Sequence, residues 1–290
     1  GNNATLALAT PGAANSLGSN KNIVIDGVRP SVLSVSSANS TYITGDVDIT
    51  VTFSEAVSVT GTPRLLLETG STNRYAVYNS GTGTTAIVFR YAVQPGDQAS
   101  DLDYIGTSSL YLNGGAMKDA NLNNVSLTLP APGAAGSLSN TSNVVVDAII
   151  PYVIRVTSTT ANGYYNINDV INITVTFSEP VAVGGTPRLT LETGSTDRTV
   201  NYTSGGGSST LVFAYTVQAG DISADLDYAA TNSLDLNGGS IDDLAGNNAT
   251  LTLATPGTKG SVSGGKAIVV DCANPEVLSQ ESAVENHGEF

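Results

Sequence analysis

Two groups of closely spaced aspartates are the residues of this sequence with the clearest potential for chemistry. Each group places three carboxylates within seven residues, and the second group lies 124 residues after the first. The two groups are Asp97, Asp101 and Asp103, and Asp221, Asp225 and Asp227. Calcium takes about six to eight oxygen ligands, and closely spaced aspartates in a loop suit it. The alternative is that these aspartates cap turns through hydrogen bonds to the backbone and face solvent.

The order of the strands predicts where a calcium ion would bind. If successive strands alternate in direction, the acidic loop lies at the end of a repeat where the chain passes into the next repeat. Carboxylates that gather there would repel one another strongly unless a cation lay between them. We therefore predict a site at the joint in which Asp147 and Glu179 join the first group, and an equivalent site in which Asp271 joins the second.

A second acidic loop covers residues 118–121, and its counterpart covers residues 242–247. The counterpart begins with two aspartates, whereas Lys118 replaces the first of these, Asp242, in the earlier copy. A position that accepts lysine in one copy is a poor metal ligand. For this reason we predict a turn here and not a metal site.

Composition excludes most familiar catalytic chemistries. The 290-residue chain has one His, one Cys and no Trp, which excludes an intrachain disulfide, a thiolate metal cluster and a histidine-rich metal site. Glu55 and Glu68 resemble a glycosidase pair only weakly, because two carboxylates are common and no Trp offers a platform for a sugar. The net charge of −14 argues against nucleic acid and against anionic lipid surfaces as partners. We expect no enzymatic activity and no insertion into a membrane.

An internal repeat organises the chain. Residues 47–147 align with residues 171–271 without a gap at about 56% identity. The predicted domains are the C-terminal strands of an incomplete repeat at 1–26, full repeats at 27–147 and 148–271, and the start of a further repeat or a strand-donating tail at 272–290. Either the chain is cut from a longer array, or its incomplete ends find partners in neighbouring chains.

Hydrophobic side chains alternate with a period of two, which is typical of strands with one buried face. The clearest run is Ile87, Phe89, Tyr91 and Val93, and no segment shows a helical stripe. Gly, Asn and Pro interrupt these runs at short intervals. The pattern predicts an all-β fold of antiparallel β-sandwich domains joined in a semi-rigid string. Buried tyrosines with hydrogen-bonded hydroxyls are expected at Tyr91 and Tyr104 and at their copies, Tyr215 and Tyr228.

Several motifs resemble those of the bacterial Ig-like repeats. They are Thr-Phe-Ser-Glu-x-Val at 52–57, Gly-Thr-Pro-Arg-Leu-x-Leu-Glu-Thr-Gly at 61–70, Asp-Leu-Asp-Tyr at 101–104 and Gly-Asn-Asn-Ala-Thr-Leu at 246–251. Such repeats occur in tandem in large surface adhesins and in cyanobacterial swimming-associated cell-surface proteins. The resemblance covers residues 1–278. It implies Ig-like domains that act as a non-catalytic, extracellular spacer on a bacterial cell surface, with calcium as a possible stiffener of the joints.

Two other functions remain open at this point. The chain could be a self-assembling extracellular filament or surface-layer subunit whose incomplete terminal strands pair with neighbouring chains, since unpaired strands are templates for pairing. It could also be a carbohydrate-binding module, which the absence of Trp disfavours. The expected partners are other copies of the same repeat or chain, and a cell-surface or matrix component.

Overall fold

The computed structural model describes residue 1 and residues 3–272, so the predicted tail at 272–290 lies outside the described residues beyond Cys272. Of the described residues, 44% are in strands and 3% in helices. Its antiparallel sheets curl into sandwich-like layers, which confirms the predicted all-β class. Two compact units divide the chain, Gly1–Asp147 and Ala148–Phe290, and each unit is described by itself.

The first unit combines a large sheet with a small one. Its elements are α1 (Leu17–Asn20), β1 (Val32–Ser37), β2 (Ser40–Tyr42), β3 (Asp46–Thr60), β4 (Arg64–Leu67), β5 (Arg74–Ser80), β6 (Thr84–Ala92), β7 (Gln98–Ala99), β8 (Leu110–Tyr111), β9 (Ala116–Lys118), α2 (Leu138–Thr141) and β10 (Val144–Asp147). The large sheet has the order β1-β3-β6-β5-β4-β8, with β9 paired to β3, and the small sheet has the order β2-β10-β7.

The second unit repeats this topology. Its elements are β11 (Val153–Ser158), β12 (Gly163–Tyr165), β13 (Val170–Gly184), β14 (Arg188–Glu192), β15 (Arg198–Ser204), β16 (Ser208–Thr216), β17 (Ile222–Ser223), β18 (Asp227–Tyr228), β19 (Leu234–Asp235), β20 (Ser240–Asp242) and β21 (Ile268–Asp271). The large sheet runs β11-β13-β16-β15-β14-β18, and β12-β21-β17 form the small sheet. No helix in the described part of the chain is long and apolar enough to cross a bilayer.

Alternation along the central strands builds the core. In β6, Ile87, Phe89 and Tyr91 point to one face and are completely buried or nearly so. The neighbouring strand β3 pairs with β6 in antiparallel register and buries Ile49 and Phe53 in the same way. This burial follows from the period-two pattern of the sequence, because successive side chains of a strand point to opposite faces.

The long strand β3 changes partner along its length. Asp46–Thr52 pair with β6, and Ser58–Thr60 pair with β9 after a break in register. The break lies between Thr52 and Val57, so Glu55 falls in the irregular part of the strand. Such irregularities re-aim a side chain locally. In the second unit β13 breaks in the same way, between Thr176 and Val181, and places Glu179 there.

The last described strand of each unit completes its small sheet. In the first unit β10 lies between β2, to which it runs parallel, and β7, to which it runs antiparallel. In the second unit β21 lies between β12 and β17 with the same directions. Residues 3–31, by contrast, contain the single helical turn α1 and no strand.

Candidate acidic sites

The first aspartate of each predicted calcium group is buried and bound to an arginine. Asp97 is 1% exposed, and its Oδ1 accepts a hydrogen bond of 2.9 Å from Nε of Arg74. Its Oδ2 accepts from the Tyr91 hydroxyl at 2.6 Å and from the backbone N–H of Gln94 at 2.9 Å. Both carboxylate oxygens of Asp97 therefore face hydrogen-bond donors, which fixes the loop after β6.

Asp221 makes the same contacts in the second unit. It accepts from Arg198 at 2.7 Å, from the Tyr215 hydroxyl at 2.6 Å and from the N–H of Gln218 at 2.9 Å. Burial would raise the pKa of Asp221, but these hydrogen bonds and the charge of Arg198 outweigh it, and the pKa lies below its usual value. Calcium ligation by Asp97 and Asp221 gains no support from this geometry, because one half-buried arginine already balances the charge of each carboxylate.

The third aspartate of each group anchors the segment that closes its unit. Asp103 accepts from the N–H of Gly133 at 3.1 Å and from the Ser139 hydroxyl at 2.6 Å. Asp227 accepts from the N–H of Gly257 at 2.9 Å and from the N–H of Val262 at 3.1 Å. The partners lie 30 or more residues further along the chain, so sequence spacing alone does not reveal them.

The tyrosines beside these aspartates behave as the sequence predicts. Tyr104 and Tyr228 are buried, and each hydroxyl donates to a backbone carbonyl 26 residues later, of Pro130 and Ala254 respectively. Burial, and then the charge of Asp227, raises the pKa of Tyr228 to about 12. The hydroxyls of Tyr91 and Tyr215 are also hydrogen-bonded, to the aspartates described above.

The second aspartate of each group lies at the surface. Asp101 accepts from the N–H of Val144 at 3.4 Å, and Asp225 accepts from the N–H of Ile268 at 3.3 Å. Asp101, Asp103 and Asp147 line an open groove of about 520 Å³ in the first unit, together with Glu68. In the strand pairing Gln98 lies opposite Asp147, so the loop that carries Asp101 and Asp103 begins beside Asp147.

The groove does not assemble a tight ligand set. Among the described residues, Glu68, Asp101 and Asp103 belong to no group of three carboxylates whose oxygens all lie within 4.8 Å of one another. In the second unit Asp271 ends β21 and lies opposite Ile222. The predicted set that combines Asp147 with Glu179 draws on both units and stays a prediction.

A different trio of carboxylates is compact. One oxygen each from Asp26, Glu55 and Asp119 lies within 4.8 Å of the other two. Asp26 and Glu55 are half-buried and Asp119 is buried. The trio offers only hard oxygen ligands and a formal charge of minus three, which is the ligand chemistry that a divalent cation such as calcium takes in proteins.

The loop after β9 holds Asp119 in place. Its Oδ1 accepts from the N–H groups of Asn121 and Asn123, both at 2.8 Å, and its Oδ2 accepts from the side-chain amide of Asn123 at 2.8 Å. Burial would raise the pKa of Asp119, but the hydrogen bonds from Asn123, Asn121 and Leu122 lower it below its usual value. The carboxylate is thus held in its charged form, as metal ligation requires.

The same loop also binds the chain around Asp26. The side-chain amide of Asn121 donates to Oδ2 of Asp26 at 2.6 Å, and the N–H of Val28 donates to Oδ1 at 3.0 Å. Asn123 donates to the Asp26 carbonyl at 3.2 Å. The two asparagines therefore bridge Asp26 and Asp119, and Glu55 reaches the pair from the irregular part of β3.

The second unit contains two of the three equivalent residues. Glu179 aligns with Glu55 and Asp243 aligns with Asp119, and their carboxylate oxygens lie within 4.8 Å of each other. Asp243 accepts from the N–H groups of Gly246 and Asn247 at 2.7 and 2.8 Å. The position that aligns with Asp26 is Asp147, the last residue of the first unit.

Sequence reasoning predicts a turn in the loop after β9, and the loop does turn around Asp119. The same reasoning misses the trio because it rests on one aligned position, which is Lys118 in the first copy and Asp242 in the second. The informative position is the next one, where both copies carry aspartate, at 119 and 243. Glu55 and Glu179 recur with the same offset of 124. These repeated acids are the signal that could have found the site.

Comparison with known proteins adds no family assignment. A scan against protein-family models finds no match to this chain, and a search of curated proteins finds none either.

Proposed function

We propose that the two repeats are non-catalytic structural modules of an extracellular protein, which act as a spacer in a bacterial surface adhesin. One observation carries this proposal. The acidic residues recur in both units with the same structural tasks, since Asp97 and Asp221 each hold an arginine and a tyrosine. Duplicated residues that fix loops and close the fold are what a repeated building block requires.

The burial of these carboxylates also supports a structural function. Asp97 and Asp221 are each 1% exposed, so neither offers a carboxylate to a substrate. Asp103 and Asp227 hold the closing segments. The Ig-like motifs of the sequence support the extracellular, surface-bound setting.

We place the proposed calcium site at the trio of Asp26, Glu55 and Asp119. Three carboxylates with oxygens within 4.8 Å of one another repel unless a cation or protons balance them. The lowered pKa of Asp119 opposes the protonated alternative for that residue. The trio would supply three of the ligands, and calcium completes its shell with backbone carbonyls or water. A bound ion would tie the end of the N-terminal segment 1–26 to β3 and to the loop after β9.

Thermal unfolding of the full chain, with calcium and with a chelator, tests the calcium part of the proposal. Calcium at ten times its dissociation constant stabilises a folded state by about 1.4 kcal/mol, so we expect a higher melting temperature. Equal melting temperatures with millimolar calcium and with chelator would contradict it. A glycan array separates the spacer from a carbohydrate-binding module. We expect no bound glycan, and saturable binding of one would overturn the spacer function.

A further inference from the structure

The N-terminal segment exposes a row of apolar side chains that the other two copies of the segment bury. The exposed residues are Leu8 (94%), Leu17 (70%), Ile23 (58%) and Ile25 (91%). Their equivalents in the second unit are Leu253 (3%), Val262 (0%), Ile268 (0%) and Val270 (0%). Such a row in water is unfavourable and marks a surface that is made to be covered.

The same segment in the second unit shows what covers it. There β21 inserts between β12 and β17, and the carbonyl of Ile268 accepts a hydrogen bond of 2.7 Å from the N–H of Leu226. The N–H of Leu253 donates to the carbonyl of Thr231 at 2.8 Å. Its apolar residues belong to the core cluster of that unit. In all these contacts the partner is the repeat body, residues 148–245.

The N-terminal segment already has the local structure that it would need. Its helical turn α1 (Leu17–Asn20) aligns with α2 (Leu138–Thr141), in which Leu138 is buried. Within the described residues 3–25 the hydrogen bonds are all local, such as the bond of 3.2 Å from the N–H of Ser19 to Oγ of Ser16. The segment is therefore shaped for docking but makes none of the long-range bonds of its copies.

The sequence identifies which kind of body fits. Gly-Asn-Asn-Ala-Thr-Leu at 1–6 is identical to 246–251. Lys21 aligns with Lys266, whose Nζ donates to the Thr160 carbonyl at 3.0 Å. The first repeat instead has Ser142 at this position, which bonds to Ser37. The segment thus matches the second repeat at a polar contact where the two repeats differ.

A second copy of the chain would not offer a free place. In the described residues both repeat bodies already hold their own closing strands, β10 in the first unit and β21 in the second. A further copy could accept residues 3–26 only by giving up one of these strands, with all of its hydrogen bonds and buried side chains. The fitting occupant is a body that lacks its closing segment.

We propose that residues 3–26 bind to a repeat body of the kind formed by residues 148–245 that lacks its own closing segment. In the complex, residues 23–25 insert as a strand into the small sheet of that body. The partner surface is apolar where the segment inserts, between the equivalents of β12 and β17. It also carries the equivalent of Asp227, a buried aspartate that accepts hydrogen bonds from backbone N–H groups of the segment. This proposal does not depend on calcium or on the spacer function.

A fusion protein tests the proposal directly. A second copy of residues 148–245 is placed before residue 1 of the full chain, so that Ala245 precedes Gly-Asn-Asn-Ala-Thr-Leu as it does in the second repeat. Hydrogen exchange is followed by mass spectrometry on the unique peptide 17–26. We expect exchange in this peptide to slow by about 100-fold or more relative to the unmodified chain, towards the rate of 262–271, because local opening then requires core exposure.

Two matched fusions complete the experiment. Replacing 1–26 in the fusion by the sequence of 246–271 gives the fully protected reference. Replacing Leu8 and Leu17 by Asp in the fusion should restore fast exchange if burial of the apolar row is what protects the segment. Exchange at 17–26 that is as fast in the fusion as in the unmodified chain would overturn the proposal. Protection in the unmodified chain that rises together with dimer formation would overturn it as well, since a second copy would then be the occupant.

Discussion

The hydroxyl of Tyr215 donates a hydrogen bond of 2.6 Å to Asp221, and each of these side chains is only 1% exposed. The carboxylate also pairs with Arg198. Tyr91 and Asp97 repeat the arrangement in the first unit. A charged group so deeply buried is stable only while its partners are present. Both units therefore use the same contacts among tyrosine, aspartate and arginine to hold the loop that follows the central strand, β6 in the first unit and β16 in the second.

Replacing Asp221 with Asn should destabilise the second unit. The variant leaves Arg198 without its buried counter-charge, and breaking such a pair costs about 3 kcal/mol. Asp235→Asn is the matched control, because the pair of Asp235 with Arg188 is exposed and is worth less than about 1 kcal/mol. Urea unfolding followed by circular dichroism gives both values. Equal losses for the two variants would contradict the assigned role of Asp221.

The lowered pKa of Asp221 fixes how this loss depends on pH. A carboxyl group with a depressed pKa in the folded state stabilises the fold above its unfolded value of about 3.9, and the contribution disappears as pH falls through the folded value. The difference in stability between the Asp221→Asn variant and the natural chain should therefore shrink below about pH 4. A constant difference down to about pH 2 would argue against the ionised pair.

Alkaline conditions should destabilise both units through their buried tyrosines. The pKa of Tyr228 is raised to about 12, chiefly by burial, and those of Tyr91, Tyr104 and Tyr215 are raised as well. A raised pKa means that the stabilisation is complete below the unfolded value of about 10 and is lost as pH rises through the folded value. The melting temperature should fall from about pH 10 upwards. Tyr228→Phe should reduce that fall, and an identical alkaline profile for this variant would contradict the prediction.

Asp227→Asn should loosen the closing segment of the second unit. Asp227 accepts hydrogen bonds from the N–H groups of Gly257, Val262 and Ser263 and from the Ser263 hydroxyl. The variant therefore weakens four charge-assisted hydrogen bonds, each worth about 1.5–3 kcal/mol. Hydrogen exchange of residues 255–264 should speed up markedly. Asp225→Asn is the control two residues away, since its single bond of 3.3 Å to Ile268 is long. Faster exchange in the control than in Asp227→Asn would show that Asp227 is not the anchor.

The fold was predictable from sequence because period-two alternation reports burial directly. Ile87, Phe89 and Tyr91 are predicted to share a face, and they are buried together in β6. The two full copies also make the shared topology foreseeable. Alternation says nothing, however, about the break in register that places Glu55 away from the regular part of β3. Its carboxylate position is set by the pairing of β3 with both β6 and β9.

The candidate sites were less predictable because aspartates recruit partners that are distant in sequence. Asp97 finds Arg74 across two strands, and Asp103 finds Ser139 in the closing segment. Their close spacing in the sequence suggests a single calcium-binding loop. In the folded chain, however, each aspartate accepts hydrogen bonds from a different set of donors. The trio around Asp119 involves a residue 93 positions earlier, Asp26, which only the folded chain brings near.

Calcium titration by calorimetry tests the central claim most directly. The full chain is compared with Glu55→Gln, which weakens the trio, and with Asp101→Asn, which alters the groove beside Asp147 but leaves the trio intact. Calcium sites of extracellular modules bind at about 10⁻⁴–10⁻³ M, so the titration needs millimolar calcium. The account predicts calcium binding to the natural chain, a lower number of ions bound per chain for Glu55→Gln, and no change for Asp101→Asn. Calcium binding that Glu55→Gln leaves intact and Asp101→Asn removes, or no binding at all, would contradict it.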